Sequence, residues 1–273
     1  LLPQPVHTPT PVPVISEDRL PDRQMNILLL GVDDFAANGF RTDVIMLLSL
    51  NPKHNSISLV SFPRDLYVTI PGYWSNRINT VWGLGGFELL ADTFEVNFGI
   101  HPQYYMMVNY NGFRDVVNSL DGIDVVVTQE LQDSCGRDAS GWCIIKPGTV
   151  HMDGDMALWY SRSRLTSSDF DRNRRAQEVV KAIFTKAMNL NMLPKVPELY
   201  GLYREYIDTN VQLLDILPYL ALASEVMKTG NINQYAIGPE VVSNWITAEG
   251  AMVLIPNYYG ISAILSEALY LNE

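Results

Sequence analysis

Apolar runs that suit buried strands alternate with helix-patterned segments over the first two thirds of this 273-residue chain. The run from Met25 to Val32 is continuously apolar rather than alternating, which is typical of a strand that is buried on both faces. Further strands are predicted at 43–50, 56–62, 104–108 and 123–128, and helices at 110–120, 153–160 and 170–189. This alternation predicts an α/β fold, a three-layer sandwich in which a central mixed β-sheet is flanked by helices.

Composition separates residues 1–23 from the rest of the chain. This segment contains six prolines, which predicts an extended linker. No apolar run approaches the roughly 20 residues that cross a bilayer. Because such a linker usually joins a folded domain to something else, we expect it to follow a removed N-terminal transmembrane anchor. A plain disordered tail is the alternative. Residues 24–273 are predicted to form one domain that becomes helical from about residue 194, with helices near 197–206, 211–227 and 258–269 and a strand near 234–238.

Charge and cysteine usage narrow the choice of partner and compartment. The formal net charge of −11 argues against nucleic-acid binding, which needs a broad basic surface to neutralise phosphates. Cys135 and Cys143 lie in a stretch that is predicted to be a loop. A disulfide between them would fit an oxidising, extracytoplasmic location, and two buried thiols are the alternative.

Five arginines crowd into one short segment of this acidic protein: Arg162, Arg164, Arg172, Arg174 and Arg175. Guanidinium groups match phosphate and carboxylate oxygens two at a time. The segment enters a predicted helix that Ser167 or Ser168 would cap, and a helix N-terminus itself attracts anions. The pattern therefore predicts a phosphate site. An exposed basic helix face, paired with Asp169, Asp171 and Glu178, is the alternative.

Two further polar clusters follow predicted strands. Asp33 and Asp34 end the first strand, and Arg41-Thr42-Asp43 opens the second, so that their carboxylates could hold one Mg²⁺. Solvated turn residues are the alternative. Arg64-Asp65 follows the third strand, where the arginine could clamp a phosphate oxygen and the aspartate could accept a proton. A structural ion pair is the alternative for these two residues.

Taken together, these clusters resemble the LytR-CpsA-Psr (LCP) family of bacterial cell-envelope phosphotransferases. The resemblance covers about residues 24 to 190 and rests on the joint spacing of several motifs. These are Gly31-x-Asp33, Arg41-Thr-Asp43, Ser61-Phe-Pro-Arg64-Asp65, Asn79 with Gly85-Gly86, Asp153-Gly, Ala157-Leu-x-Tyr160-x-Arg162-x-Arg164, and Asp169-Phe-x-Arg172-x-x-Arg175-x-Gln177.

The resemblance implies an extracytoplasmic domain that is anchored in the bacterial cell membrane by the missing N-terminal helix. Its activity would be the transfer of a glycopolymer from a polyprenyl-pyrophosphate carrier to peptidoglycan. The partners would thus be the carrier-linked glycan, the peptidoglycan acceptor and the membrane. The apolar chain of the carrier would lie in a groove between the sheet and the helices.

The resemblance also implies roles for individual residues. Asp33 and Asp43 would bind Mg²⁺ beside the pyrophosphate. Asp65 would be a catalytic base, and Arg64, Arg162 and Arg164 would take part in catalysis. The residues implied to hold the pyrophosphate are Arg41, Arg64, Arg162, Arg164, Arg172, Arg175 and Gln177.

The sequence departs from the family pattern at two positions. Asp34 stands where arginine is frequent, and Ala176 stands where the family usually has a glutamine. These departures favour an alternative function, a non-catalytic module that binds polyprenyl pyrophosphate. A pyrophosphatase that uses water as the acceptor is a further alternative.

Overall fold

The computed structural model describes residues 23–33, 41–136, 140–165, 168–188, 201 and 205–270. No helix in these ranges is both long enough and apolar enough to span a membrane. The strands are β1 (Met25–Val32), β2 (Thr42–Asn51), β3 (Ser56–Phe62), β4 (Tyr67–Val68), β5 (Asn76–Arg77), β6 (Tyr104–Asn109), β7 (Ile123–Val127), β8 (Leu131–Ser134), β9 (Trp142–Ile145), β10 (Gly148–Met152), β11 (Ile207–Thr209), β12 (Ile232–Ala236), β13 (Val242–Ile246) and β14 (Met252–Pro256). The helices are α1 (Val81–Phe98), α2 (Tyr110–Ser119), α3 (Gly154–Arg162), α4 (Asp169–Ala187), α5 (Leu213–Ile216), α6 (Leu220–Thr229) and α7 (Tyr258–Leu269).

Six strands form one mixed sheet in the order β11–β6–β1–β2–β3–β12. β2 runs antiparallel to both of its neighbours, β1 and β3. β6 runs parallel to β1, and β12 runs parallel to β3. Parallel neighbours need a long crossover, and α1 lies in the connection that leads to β6. This topology brings the C-terminal ends of β1, β3 and β6 to the same edge of the sheet as the start of β2.

Both faces of the sheet are buried, as the continuous apolar pattern of β1 predicts. Leu28 packs with Phe94 of α1 and Leu265 of α7 on one face. Its neighbour Ile27 packs with Val226 of α6 on the other face. Helices therefore cover the mixed sheet on both sides, and the predicted three-layer α/β sandwich is confirmed.

A second apolar cluster joins α2, α3 and α4 to the two-stranded sheet of β7 and β10. The hairpin of β8 and β9 lies beside it and carries a disulfide between Cys135 and Cys143. The predicted disulfide is thus confirmed. The loop prediction is too long, because Cys143 lies within β9.

The C-terminal region holds more strand than the sequence predicts. β11 joins the main sheet, and β13 pairs with β14 in a hairpin whose first strand is mostly exposed. Neither β11 nor β13 has the alternation of buried and exposed side chains from which a strand is predicted. The predicted helix at 211–227 is divided into α5 and α6 by a 3-10 turn at Leu217–Tyr219, which contains a proline. The helix predicted at 258–269 is confirmed, and the one at 197–206 lies almost wholly outside the described residues.

Candidate active site

A β-bulge at one edge of the sheet brings two carboxylates together. The register of β1 and β2 passes from Gly31↔Val44 to Val32↔Thr42 and so skips Asp43. Such an extra residue bends the strand and re-aims its side chain. Asp33 directly follows the last residue of β1, and its side chain lies close enough to that of Asp43 for Asp43 to raise its pKa.

The carboxyl group of Asp43 disfavours the ionisation of Asp33. The pKa of Asp33 is raised above its ordinary value, first by partial burial and then by the charge and hydrogen bond of Asp43. Arg162 and Arg64 partly offset this rise. A cation between the carboxylates would relieve their repulsion, and Mg²⁺ prefers a few carboxylate oxygens beside substrate phosphates. These two residues therefore fit the predicted ion.

Arg64 connects the end of β3 to this pair. Its Nη1 donates to Asp43 Oδ1 at 2.5 Å, and its Nε lies 3.5 Å from Asp65 Oδ2. Burial lowers the pKa of Arg64, but the hydrogen bond and charge of Asp43, together with the charges of Asp65 and Asp169, more than reverse that effect. The side chain is 23% exposed, so it can still meet a ligand from solvent.

The N-terminal turn of α4 adds further guanidinium groups. Ser168 caps the helix and forms a capping box with Asp171, as predicted for one of two serines. Arg172 is 4% exposed, and its Nη2 donates to the backbone oxygen of Asp43 at 3.3 Å. Asp169 Oδ1 lies 3.5 Å from Arg172 Nη1 and 3.4 Å from Arg164 Nη2. The start of α4 is thereby fixed against the bulge in β2.

Arg162, the last residue of α3, reaches the same edge through an aromatic contact. Its guanidinium carbon lies 3.8 Å from the centroid of the Tyr110 ring, a cation–π geometry. The Tyr110 hydroxyl donates a hydrogen bond to Asp33 Oδ1. Arg162 therefore lies beside the carboxylate pair and lowers the pKa of Asp33.

Most of the predicted site residues thus lie around one edge of the sheet. Asp33, Asp43, Arg64, Arg162, Arg164 and Arg172 are connected by the contacts above. Arg41 is exposed at the start of β2, two residues before Asp43. Asp65 lies between two cations, since its Oδ1 is 3.3 Å from Arg77 Nε and its Oδ2 faces Arg64.

Arg175 and Gln177 lie deeper in the protein. Arg175 is 1% exposed, and it donates to the backbone oxygens of Tyr160 at 2.8 Å and of Ser163. Gln177 is also buried and donates to the backbone oxygen of Tyr235. These bonds hold α4 against α3 and the sheet. Contact of either residue with pyrophosphate stays a prediction.

The competing interpretation of the arginine segment is wrong for two of its members. An exposed basic helix face requires solvated arginines, but Arg172 and Arg175 are both buried. Of that alternative, the ion pair of Arg174 with Glu178 is present, since Arg174 Nη1 bonds Glu178 Oε1 at 2.7 Å, but Glu178 is buried. The alternative of an ion pair between Arg64 and Asp65 also exists in the structure, as a long 3.5 Å contact.

Sequence reasoning missed Tyr110 and Arg77 and named Asp169 only as a surface partner. Tyr110 directly follows β6, and Asn109 of β6 pairs with Val32 of β1. Its place beside Asp33 therefore depends on the parallel pairing of β1 with β6. The rule that ligand groups follow the C-terminal ends of parallel strands is the signal that could have found it.

The arrangement suits a ligand that carries several negative charges. Arg64 follows β3, Arg162 ends α3, Arg164 lies just after α3, and Arg172 lies in α4. Asp43, Asp65 and Asp169 pair with three of these arginines. Preorganised guanidinium groups can bind pyrophosphate oxygens and stabilise charge that develops during phosphoryl transfer. The site contains these donors next to the carboxylates that fit a divalent ion.

Comparison with known proteins agrees with this description. The model of the LytR_cpsA_psr family matches residues 6–262. Regulatory protein MsrR of Staphylococcus aureus (strain COL) is 33% identical over 193 residues, which are 70% of this chain and 57% of that protein. The polyisoprenyl-teichoic acid–peptidoglycan teichoic acid transferase TagT of Bacillus subtilis (strain 168) is 32% identical over 198 residues, 70% of this chain and 62% of TagT. The chain thus spans less than two thirds of the length of these curated relatives.

Solved structures show the same fold. The crystal structure of B. subtilis TagV aligns with a TM-score of 0.74 and 26% identity, over 90% of this chain and 97% of the TagV chain. TagT bound to LIIa-WTA aligns with a TM-score of 0.71 and 25% identity, over 90% of this chain and 91% of the TagT chain.

Proposed function

Because this chain belongs to the LytR-CpsA-Psr family, we propose that it is an extracytoplasmic phosphotransferase of the cell envelope. It moves a glycopolymer from a polyprenyl-pyrophosphate carrier to peptidoglycan, and its N-terminal segment follows a membrane anchor. The observation that carries this proposal is that Arg64, Arg162 and Arg172 meet at the β2 bulge that brings Asp33 and Asp43 together, while Asp169 links Arg164 to Arg172. The names of the transferases among its relatives support the same reaction class.

Binding of the carrier begins with its pyrophosphate. Arg64 and Arg162 are partly open to solvent at this edge and contact the oxygens of the two phosphates. Arg164 and Arg172 share Asp169, which keeps their guanidinium groups in place for the same ligand. Arg41 adds charge at the rim, and Arg175 and Gln177 hold α4 in position beneath it. A groove for the apolar chain of the carrier, between the sheet and the helices, stays a prediction.

Transfer then exchanges a phosphoanhydride bond of the carrier for a phosphoester bond to peptidoglycan. A hydroxyl oxygen of peptidoglycan attacks the phosphorus that carries the glycopolymer, in line with the bond to the leaving group. A new P–O bond forms, and the bond to polyprenyl phosphate breaks. Asp65 accepts the proton of the hydroxyl, and the arginines hold the departing polyprenyl phosphate as an anion. Each guanidinium acts by stabilising charge as the transition state forms.

Asp33 and Asp43 are the residues that would hold Mg²⁺. When bound, the ion would neutralise negative charge on the pyrophosphate. Hydrogen bonds hold both carboxylates in place, because Asp33 accepts from Tyr110 and Asp43 accepts from Arg64.

The test is a transfer assay with a polyprenyl pyrophosphate that carries a short saccharide and with isolated peptidoglycan. We expect a conjugated product and free polyprenyl phosphate from the wild-type chain. Arg64→Ala and Arg172→Ala should each lower the rate about 100-fold to 1,000-fold, the usual loss of one preorganised charge-stabilising group. Arg174→Ala is the matched control on α4, because Arg174 pairs with Glu178 outside the site, and it should keep the wild-type rate.

Three outcomes would contradict the proposal. Cleavage of the pyrophosphate without a peptidoglycan conjugate would show a pyrophosphatase that uses water. Binding of the carrier without cleavage, with and without Mg²⁺, would show a non-catalytic module. Equal rates for wild type, Arg64→Ala and Arg172→Ala would show that the arginines do not act in the reaction.

A further inference from the structure

We propose that a cleft along one face of α3 binds the pyranose rings of a glycan as it approaches the arginines. The inference rests on the proposed function and names a part of the substrate that the arginine site alone does not recognise. The cleft has a volume of about 420 Å³, within the range of about 300–1,000 Å³ for small-molecule sites. Its lining includes Arg114, Asp155, Trp159, Arg162, Arg164 and Ser134.

The spacing of the lining residues on α3 shows how the cleft is oriented. Asp155, Leu158, Trp159 and Arg162 are separated by three, four and seven positions, so they share one helical face. From Asp155 to Arg162 the axis rises by roughly 10 Å. The cleft therefore extends along α3 from the arginine site to the first turn of the helix, a distance that suits a short saccharide.

The end of the cleft that is farther from Arg162 and Arg164 has polar groups that can recognise sugar hydroxyls. Arg114 Nε lies 2.8 Å from Asp155 Oδ1, and the two side chains are 38% and 69% exposed. The guanidinium can donate to a sugar oxygen, and the carboxylate can accept from a sugar hydroxyl. A second phosphate is disfavoured beside an exposed carboxylate. A lipid chain is disfavoured by an ion pair open to water.

The middle of the cleft offers an apolar surface between the two charged ends. Leu158 is almost fully buried beneath it, and Trp159 is partly exposed. The C–H bonds of a pyranose ring can pack on such a surface while its hydroxyls meet the polar groups at the ends. An aromatic ring suits this contact, because its face carries partial negative charge.

The opposite wall is held rigidly. Trp159 Nε1 donates to the backbone oxygen of Ser134 at 2.7 Å. Asp133 is 3% exposed, and it accepts from the backbone N–H groups of Ser134 at 2.6 Å and of Leu165 at 3.0 Å. The disulfide at Cys135 directly follows this wall. A wall of fixed shape loses little entropy when a ligand is bound.

Direct binding tests the cleft without any need for turnover. The probe is a soluble disaccharide fragment of peptidoglycan, titrated against the full chain and followed by NMR. Asp155→Asn and Arg114→Gln should each weaken binding about tenfold, the effect of losing one hydrogen bond that involves a charged group. Asp124→Asn is the matched control, since Asp124 is an exposed carboxylate on β7 that pairs with His151. It should bind the fragment as the wild type does.

Transfer kinetics distinguish the two possible sources of the glycan. If the cleft holds the acceptor, the two variants raise the KM for peptidoglycan fragments and leave the KM of the carrier alone. If it holds the first sugars of the donor, they raise the KM of a saccharide-bearing carrier and leave the Kd of bare polyprenyl pyrophosphate unchanged. Either result supports a saccharide site.

Two results overturn the cleft. One is wild-type affinity for the fragment in both variants together with unchanged KM values for both substrates. The other is a wild-type chain that binds neither a peptidoglycan disaccharide nor the saccharide of the donor, although it cleaves the carrier. A chain that binds the fragment through Asp155 and Arg114 but cleaves no pyrophosphate would refute the proposed function and keep the cleft.

Discussion

One extra residue in β2 determines the geometry of the candidate site. Asp43 is skipped in the pairing of β1 with β2, and its side chain meets both Asp33 and Arg64. Without the bulge, Asp43 would pair with a residue of β1, and its carboxylate would point in a different direction. The bulge therefore places the carboxylates of the predicted Mg²⁺ site beside the arginines.

Titration with Mg²⁺ tests whether Asp33 and Asp43 bind the ion. We expect isothermal titration to show an ion bound by the wild-type chain, with an affinity at least about tenfold lower in Asp33→Asn and Asp43→Asn, because each change removes a ligand charge. Asp124→Asn serves as the control on a different sheet. Unchanged Mg²⁺ affinity in both site variants would show that these carboxylates do not bind the ion.

Arg175 is expected to act on stability, because its guanidinium is buried and bonded to backbone oxygens of Tyr160 and Ser163. Arg175→Ala leaves those oxygens without these donors and should lower the free energy of unfolding by about 3 kcal/mol in urea titrations. Arg41→Ala, at an exposed position, should change it by less than about 0.5 kcal/mol. Equal stability of the two variants would contradict this role.

Secondary-structure elements carry the site residues to one place, and the sequence predicts many of them. β1, β2, β3 and α4 are recognisable from apolar runs, strand-end motifs and the capping serine. Their site residues Asp33, Asp43, Arg64 and Arg172 follow from those elements. Tyr110 could not be predicted in the same way, because its contact with Asp33 depends on which strand pairs with β1. Strand β13 was missed since its side chains lie mostly in solvent.

The cap of α4 has a measurable effect, because this helix positions Arg172. Ser168→Ala should lower the free energy of unfolding by about 1 kcal/mol at pH 7, the usual cost of removing an N-cap side chain. Asp171→Asn should cost a similar amount. Since the two residues form one capping box, the double variant should cost less than the sum of the single variants. Additive losses in urea titrations would contradict a shared box.

The same cap predicts a pH dependence. The hydrogen bonds of Ser168 lower the pKa of Asp171 below its ordinary value, although burial opposes them. A depressed carboxyl pKa contributes stability above the unfolded-state pKa, and that contribution is lost as the pH falls through the folded-state pKa. The difference in unfolding free energy between wild type and Asp171→Asn should therefore shrink between about pH 5 and pH 2. A constant difference over this range would contradict the coupling.

At the scale of the whole molecule, the local positive site lies within an acidic protein of net charge −11. Arginines from distant parts of the sequence are concentrated at one edge of the mixed sheet, while the disulfide hairpin and α3 enclose the adjacent cleft. Such a charge distribution favours the proposed small multivalent anion at the arginine site over a broad contact with nucleic acid. Binding of the carrier should weaken as salt is added, because part of the site is open to solvent.

The most direct test of the central claim is a crystal structure of the chain with a short-chain polyprenyl pyrophosphate. We predict that pyrophosphate oxygens lie about 3 Å from the guanidinium nitrogens of Arg64, Arg162 and Arg172, beside Asp33 and Asp43. Pyrophosphate bound away from these arginines, or arginines that turn into solvent in the presence of the ligand, would contradict the account.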